Sequence, residues 1–331
     1  MNYFITGGAG FIGSNLIKAI QSVDPSAFFV VYDNLSQTGM EYLSELVEFD
    51  QQNEKFIGLP NWDRNTLVVS DILDGECLVN ASIGSDVIIH LAANTGVPRS
   101  VLDPILDQSV NVEGTLRLLE AARKNSIKRF VFASSGAPLG EQTPPLHEKI
   151  LPKPISPYGA SKLAGEAYCS AYFRTFKIET VVLRFSNVYG PNSLHKESVV
   201  AKFIKKMMEG EEIEIYGDGN QTRDYIYIDD LTSAILKAVD IDGIGGEVFQ
   251  VATNVETSVD SLARIILSEI SKRMSIVSKI VNSPKRLGDV TRNFSDVTKA
   301  RKILNWESTV SLEAGIQKTV DYYIEKVSEI N

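Results

Sequence analysis

The sequence predicts an α/β protein, a doubly wound parallel sheet with a second, smaller lobe, and three observations carry that expectation. Short apolar runs recur at 2–5, 28–32, 66–70, 87–91, 129–132 and 180–183. Between them the apolar residues fall at helical spacing, the rhythm of a parallel sheet covered on both faces. From about Asn187 that rhythm gives way to a long loop through Gly190-Pro191-Asn192, a helix near Val199–Met208, a turn at Gly217–Asn220 and a strand over Asp224–Ile228. A chain of 331 residues is also long for one ordinary core. We expect residues 1–186 and 230–254 to form the larger domain, and 187–229 and 255–331 a discontinuous second lobe.

The first apolar run opens directly onto Thr6-Gly7-Gly8-Ala9-Gly10-Phe11-Ile12-Gly13. Gly8, Gly10 and Gly13 satisfy G-x-G-x-x-G, where glycine allows a tight turn, close approach of backbone N–H groups to a pyrophosphate, and close packing of helix on strand. Helical spacing continues from Asn15 to Ile20, so the positive end of that helix faces the phosphates. The second run, Phe28 to Tyr32, ends at Asp33. A carboxylate there accepts hydrogen bonds from an adenosine ribose and repels a 2′-phosphate, and no arginine follows within residues 34–37. The expected cofactor is therefore NAD rather than NADP.

Composition excludes several partners. A formal net charge of −9 opposes general binding to nucleic acid or to an acidic membrane, so phosphate must be met by a few placed cations. No apolar run approaches the length of a bilayer span, and the N-terminus lacks the pattern of a signal peptide. Cys77 and Cys169 lie in helical patterns without C-x-x-C spacing, and three scattered histidines suggest no metal centre. A reducing cytoplasm is the expected location. Residues 51–65 read as a surface loop without an assigned role.

In a doubly wound sheet the binding groups gather at the carboxyl ends of the strands. Those ends here carry Gly7–Gly13, Asp33, Asp71-Ile72, Ala92-Ala93 and Ser134-Ser135. A helix then opens at Tyr158-Gly159-Ala160-Ser161-Lys162, after Pro152, Pro154 and Pro157. Tyr158 and Lys162, four apart, share one helix face. An ammonium beside a phenol favours the phenolate, so Tyr158 can exchange a proton with a substrate hydroxyl while the Ser135 hydroxyl orients the same oxygen.

Taken together these motifs resemble the extended short-chain dehydrogenase/reductase family, in particular its nucleotide-sugar epimerases and dehydratases, over essentially the whole chain. The resemblance rests on T-G-x-x-G-x-x-G at Thr6–Gly13, His90-Leu91-Ala92-Ala93, Asn111 in Asn111-Val112-Glu113-Gly114-Thr115, Ser134-Ser135 and the Tyr158/Lys162 pair. It implies a catalytic set of Ser135, Tyr158 and Lys162. It also implies an NAD site formed by Gly7, Gly10, Phe11, Ile12, Gly13, Asp33, Asn34, Asp71, Ile72, Leu91, Ala92 and Ala93 with Tyr158 and Lys162. Arg184 to Pro191, Gly217 to Tyr225 and Arg286 to Asp289 resemble the segments that hold a nucleotide diphosphate. By that resemblance Arg223 and Arg286 hold the pyrophosphate, and Asn187, Thr95, Asp289 and Asn293 line the rest of the substrate site.

Departures from the family pattern bear on the reaction. Dehydratases resemble Thr-Asp-Glu after the serine strand, whereas Ser135-Gly136-Ala137-Pro138-Leu139-Gly140 carries no acid, so elimination of water is disfavoured. Asn94 to Ser100 resembles the epimerase loop, although Thr95 stands where some epimerases carry lysine. The expected activity is 4-epimerisation of a UDP-hexose through a transient 4-keto sugar. The alternatives are a 4-keto reductase, a UDP-glucuronate 4-epimerase or decarboxylase, and a non-catalytic NAD sensor. The helix at 110–124 carries Val112, Leu116, Leu119 and Ala122, and the Tyr158 helix carries Ala164, Ala167, Tyr168, Ala171 and Tyr172. Two such faces are expected not to fit on one side of the sheet and, as the resemblance implies, to form a four-helix homodimer interface.

Overall fold

A computed structural model describes residues 1–53, 59–193, 195–275, 278–284 and 290–330. Eight parallel strands form one sheet: β1 (Asn2–Thr6), β2 (Phe28–Asp33), β3 (Asp50–Asn53), β4 (Thr66–Val69), β5 (Val87–His90), β6 (Arg129–Ser135), β7 (Glu179–Phe185) and, returning after β8 (Asn187–Tyr189), β9 (Ile213–Tyr216), β10 (Thr222–Arg223) and β11 (Tyr225–Tyr227), β12 (Val248–Val251). Their order is β12-β7-β6-β5-β1-β2-β4-β3. The chain leaves β1 in one direction toward β2 and then crosses back to β5, so the crevice at the carboxyl end of β1 is the topological switch point.

Alternation along each strand explains why the runs read as uniformly apolar. Tyr3 and Ile5 enter one hydrophobic cluster and Phe4 the other; Phe29 and Val31 pair with the first, Val30 and Tyr32 with the second. Helices α1 (Phe11–Val23) and α9 (Ile228–Asp240) contribute Leu16, Ile17, Leu231 and Ile235 to the first cluster. Helices α3 (Gly75–Ala81), α6 (Gly114–Lys124) and α7 (Pro157–Phe176) contribute Leu78, Leu118, Leu119, Cys169 and Tyr172 to the second. Burial of the core strands on both faces is worth about 1.5–3 kcal/mol per large aliphatic side chain.

Two expectations are corrected here. Residues 50–53 are a strand, β3, which pairs with β4 from Asp50↔Thr66 to Asn53↔Val69. The four residues Asp50-Gln51-Gln52-Asn53 carry no apolar alternation because an edge strand needs none. Secondly, α6 and α7 do pack on the same side of the sheet: Leu119, Ala122 and Tyr172, which the sequence reading turned outward, are buried. The buried stripe of α7 is Gly159, Ser161, Lys162, Gly165, Glu166, Cys169 and Tyr172, so its polar and small residues face inward and its alanines and Tyr168 are left outside.

Around this sheet lie α2 (Glu41–Ser44), α4 (Val97–Leu102), α5 (Pro104–Gln108), α8 (Val199–Met208), α10 (Val259–Ser271) and α11 (Leu312–Ile330), with β13 (Thr257–Ser258) and β14 (Ile280–Ser283). Apart from β12, the strands beyond β7 pair in twos: β8 with β11, β10 with β13, β9 with β14. Buried carboxylates tie these pieces together. Asp230 on α9 accepts from Thr309 N and Oγ1 and from Val310 N, while Trp306 Nε1 donates to its carbonyl. Cys77 and Cys169 are free and buried. Among the described residues no helix is long and apolar enough to cross a membrane.

A directed hydrogen-bond chain fixes the strand ends at the crevice. The Thr115 hydroxyl donates to Asn111 O at 2.6 Å, so it must accept from His90 Nε2 at 3.0 Å. His90 Nδ1 is then the acceptor for the Thr6 hydroxyl at 2.8 Å, and Thr6 Oγ1 accepts from Ala92 N. Burial holds this imidazole well below its ordinary pKa, in the neutral form that the chain requires. β1, β5 and α6 are thereby locked in register where the glycine turn begins.

Candidate active site

The glycine turn is a cradle that side chains would fill. Gly7 has φ +69°, and a Cβ on it would come within 2.7 Å of Ala92 N. A Cβ on Gly13 would collide with the backbone of Gly8, whereas one on Gly10 would meet only Gly7 O at 3.4 Å. The α1 N-terminus, at Gly10, has no side-chain cap and no acidic residue in its first turn. Its donors are thus open to an anion. Phe11 is buried and Ile12 packs on the core, so both hold the turn. Asp33 closes the crevice on the β2 side. Its Oδ2 accepts from Ala9 N at 3.0 Å and its Oδ1 from Leu35 N at 2.9 Å, while burial raises its pKa. Asn34 Nδ2 donates to Asp71 Oδ2 at 2.9 Å, and Tyr32 OH to Asp71 O. Ile72 is buried against Gly114. Leu91, Ala92 and Ala93 follow β5 as the opposite wall, with Leu91 N bonded to Thr6 O. These residues fit an NAD dinucleotide: a bare cradle for the pyrophosphate and a carboxylate for the ribose.

Two strands away, β6 and α7 bring Ser135, Tyr158 and Lys162 together. Ser156 caps α7 by accepting from Gly159 N at 3.1 Å, and Pro157 occupies the first turn. The helix therefore starts one residue before Tyr158. Ser135 Oγ accepts from Ala137 N at 3.2 Å, and its hydroxyl lies close enough to Tyr158 to lower the phenol's pKa. Burial outweighs that contribution. With the field of Asp107 added, it pushes Tyr158 up to about 12. The ammonium expected to favour the phenolate is engaged elsewhere: Lys162, only 3% exposed, donates to Ala133 O at 2.9 Å and lies 4.9 Å from the centre of the Phe132 ring. Burial brings Lys162 down to about 8.

Two buried carboxylates oppose that loss of charge, and the sequence reading missed both. Asp107, 1% exposed on α5, accepts from Asn111 Nδ2 at 2.9 Å; its Oδ2 has no hydrogen-bond partner among the described residues. Asn111 lies in a π-helical turn (Ser109–Glu113), also reaches Ser161 Oγ at 3.1 Å, and exchanges two hydrogen bonds with the backbone of Asn94. Glu166, one turn beyond Lys162, is chelated by Arg184 through two bonds of 2.8 and 2.6 Å and accepts from Ser134 Oγ at 2.6 Å. Both acids raise Lys162. Asp107 precedes Asn111 by one helical turn. That spacing was the available signal, but burial of an aspartate is not written in spacing.

The residues expected to meet the substrate fall on separate elements. Thr95 is exposed just past Asn94, and Ala137–Leu139 form one 3-10 turn. Asn187 opens β8, with its backbone and its side chain both bonded to Asp224 O at 3.0 Å. Arg223 Nη1 donates to Thr222 O and to Val290 O. Asn293 is half-buried beside the bridge that joins Ser295 to Leu146. Arg286 and Asp289 lie outside the described residues. The fully buried Asp224 holds these segments together: it accepts from Ser186 Oγ, from Thr253 N and Oγ1, from Asn254 N and from Ser295 N. Among the described residues no cluster of His, Cys, Asp and Glu could hold a metal ion.

Residues 3–252 match the model of the NAD dependent epimerase/dehydratase family. The chain belongs to that family. It is 36% identical to the UDP-glucose 4-epimerase of Mycolicibacterium smegmatis over 98% of this chain and 99% of that one. Its fold is similar to that of the UDP-N-acetylglucosamine 4-epimerase from Methanobrevibacter ruminantium, with a TM-score of 0.86, 30% identity and 98% of each chain covered. It is similar as well to the UDP-glucuronic acid 4-epimerase from Bacillus cereus in complex with UDP-glucuronic acid and NAD, with a TM-score of 0.85, 30% identity, 98% of this chain and all of that one. Membership makes the chain an NAD-dependent enzyme of the epimerase/dehydratase type, and these relatives differ among themselves in the sugar.

The electrostatics yield a pH prediction for this family member. Lys162 titrates near 8 in the protein, and Asp107 is one of the groups that keep it from falling further. Asp107→Asn removes a negative charge, so Lys162 loses its proton at lower pH, and the alkaline limb of kcat/KM moves acidward. A pH profile of the two proteins checks this; an unmoved limb means that Asp107 does not act on Lys162.

Proposed function

We propose that the protein interconverts the C4 epimers of a UDP-hexose, UDP-glucose and UDP-galactose, and that it also accepts UDP-GlcNAc and UDP-GalNAc. The observation that carries this reading is the meeting of Ser135, Tyr158 and Lys162 at the end of β6, beside the glycine cradle, with no acid in the Gly136–Gly140 run to eliminate water. An alcohol carbon has no acidic C–H, so inversion there requires temporary oxidation. NAD, when bound, supplies the group that accepts a hydride from C4 and returns it. Tyr158 removes the O4 proton in the first half-reaction and restores it in the second. The Ser135 hydroxyl orients O4, and Lys162, with one N–H given to Ala133 O, keeps the other two for the cofactor ribose.

In this proposal Arg223 and Arg286 grip the diphosphate with paired guanidinium donors while the 4-keto sugar turns. Asn187, Thr95, Asp289 and Asn293 line the sugar side. The lobe of 187–229 and 255–331 serves the nucleotide, and 1–186 with 230–254 serves the cofactor. At Asn293 an amide shorter than a tyrosine leaves room for an acetamido group and can donate to its carbonyl.

The deciding experiment incubates the purified protein, without added cofactor, with each of the two UDP-hexoses, the two N-acetyl forms and UDP-glucuronate. Both hexose pairs are expected to equilibrate, and Tyr158→Phe to lower kcat by about 10²–10⁴-fold. Asn293→Tyr should depress kcat/KM for the N-acetyl pair alone. Turnover of the uronate alone, or only with a stoichiometric nicotinamide, would replace this reading with a uronate epimerase or a reductase.

We propose further that two copies associate through α4, α5 and the outer face of α7. Val101, Leu102, Ile105 and Leu106 are exposed there, Leu102 to 86% and Ile105 to 73%, next to Ala167, Tyr168 and Ala171. Apolar residues grouped in this way mark an interaction surface. Sedimentation at micromolar concentration is expected to give twice the 36.5 kDa mass, and Leu102→Asp to shift it toward monomer. A parent protein that sediments only as monomer contradicts the proposal.

A further inference from the structure

Three segments far apart in sequence close over the glycine turn, and each brings a polar or cationic group that the catalytic chemistry does not use. The loop after β2 is held on the turn by Thr38, whose buried hydroxyl donates to Ala9 O at 3.0 Å. Its neighbour Gln37 is exposed and accepts, through Oε1, from Arg99 Nη1 at 2.7 Å. Arg99 belongs to α4, which follows β5. Because β5 and β2 flank β1, this hydrogen bond spans the switch-point crevice from one wall to the other.

The third segment is the loop after β8. It docks on the first turn of α1, where Asn192 Nδ2 donates to Ser14 Oγ at 3.0 Å and Asn15 Nδ2 to Pro191 O at 3.1 Å. Just beyond, the His195 ring lies 6.0 Å from that of Tyr42 on α2, and Lys196 follows it in the chain. Burial lowers the pKa of Lys196 and the charge of Arg99 adds to it, and among the described residues neither cation makes an ion pair with a carboxylate. Two like charges gathered at one mouth, in a protein of net charge −9, leave an anion as the missing partner. Residue 95, on the same wall, is an uncharged threonine and supplies no compensation.

We propose that Arg99 and Gln37 form a clasp across the cofactor crevice, and that Arg99 and Lys196 grip the pyrophosphate of the dinucleotide so that NAD stays bound from one turnover to the next. The glycine cradle contributes backbone donors from below; the clasp contributes the full charges from above. An enzyme that regenerates its own nicotinamide gains nothing from releasing it, and a guanidinium offers paired donors to phosphate oxygens.

The test reads cofactor exchange rather than turnover. Holoenzyme is mixed with excess isotopically labelled NAD, and the appearance of label on the protein is followed for the parent, Arg99→Gln, Gln37→Ala and Lys196→Gln. Exchange is expected to be about tenfold faster or more in Arg99→Gln and severalfold faster in the other two, since a charge-assisted pair has been removed. Added salt should speed exchange in the parent and do so less in Arg99→Gln. Competition by adenosine, which has no phosphate, and by NADP separates the sources of any effect. Arg99→Gln exchange within twofold of the parent overturns the clasp. So does equal loss of adenosine and NAD binding, which would make Arg99 part of the adenosine pocket, or a loss confined to NADP, which would make it a 2′-phosphate contact.

Discussion

A cation has to survive in the interior of this protein. Lys162 is almost wholly buried on the sheet-facing side of α7, and moving an ammonium out of water costs several kcal/mol unless its surroundings compensate. The compensation comes from several directions: a carbonyl of β6, the face of Phe132, and the fields of Asp107 and Glu166. Each has its own support. Glu166 is chelated by Arg184 on β7, and Asp107 is held by Asn111 on the π-helical turn. The turn is in turn bonded to Thr115, His90 and Thr6, the residues that set the register of the crevice. One buried charge thereby accounts for polar residues on α5, the π turn, α7, β6 and β7 that packing alone would have made apolar.

The same need explains the reversed face of α7. A helix that turns Lys162 and Glu166 toward the sheet has its small apolar residues left for the outside, and the exposed leucines and isoleucine of α4 and α5 adjoin them. Catalytic burial and surface apolarity are then two consequences of one helix orientation. Another buried carboxylate, Asp224, does for the segments around β8 and β11 what the Asn111 amide does for α5, the π turn and α7. It fixes the segments at 186, 253–254 and 295 relative to one another, while Arg223 precedes it in the chain and Asn187 bonds to its carbonyl. Hydrogen bonds to a charged acceptor contribute about 1.5–3 kcal/mol each, so these segments are stiff where the nucleotide would be gripped.

Local patterns were legible in the sequence. The strand, glycine turn and helix at the N-terminus, Asp33 at the end of β2 and the Tyr158/Lys162 pair each depend on residues within a few positions of one another, and the structure puts the first two at the point where the strand order reverses and the pair two strands away beside β6. What escaped depends on distance. Arg99 bonds to Gln37, 62 residues away, and although Asn111 lies one turn from Asp107, their spacing does not give away that the aspartate is buried. Strand β3 escaped because an edge position asks only for backbone pairing. The faces of α6 were misjudged because its apolar arc is wide: Leu118, Leu119, Ala121 and Ala122 all reach the core, so the stripe through Leu116 and Leu119 was not its boundary. The phenol also differed from expectation, since the charge of Lys162 is drawn toward Ala133 and burial then dominates Tyr158.

The central claim is that one carbon loses and regains the same hydrogen while the cofactor stays in its crevice. The most direct measurement uses UDP-hexose deuterated at C4, incubated with the holoenzyme in ordinary water, with the product analysed by NMR and mass spectrometry. The account predicts that the epimer retains deuterium at C4 and that none reaches solvent, because the hydride that leaves is the one that returns. An epimer with protium at C4 would contradict it and require either proton exchange with water or a cofactor that leaves between the two half-reactions.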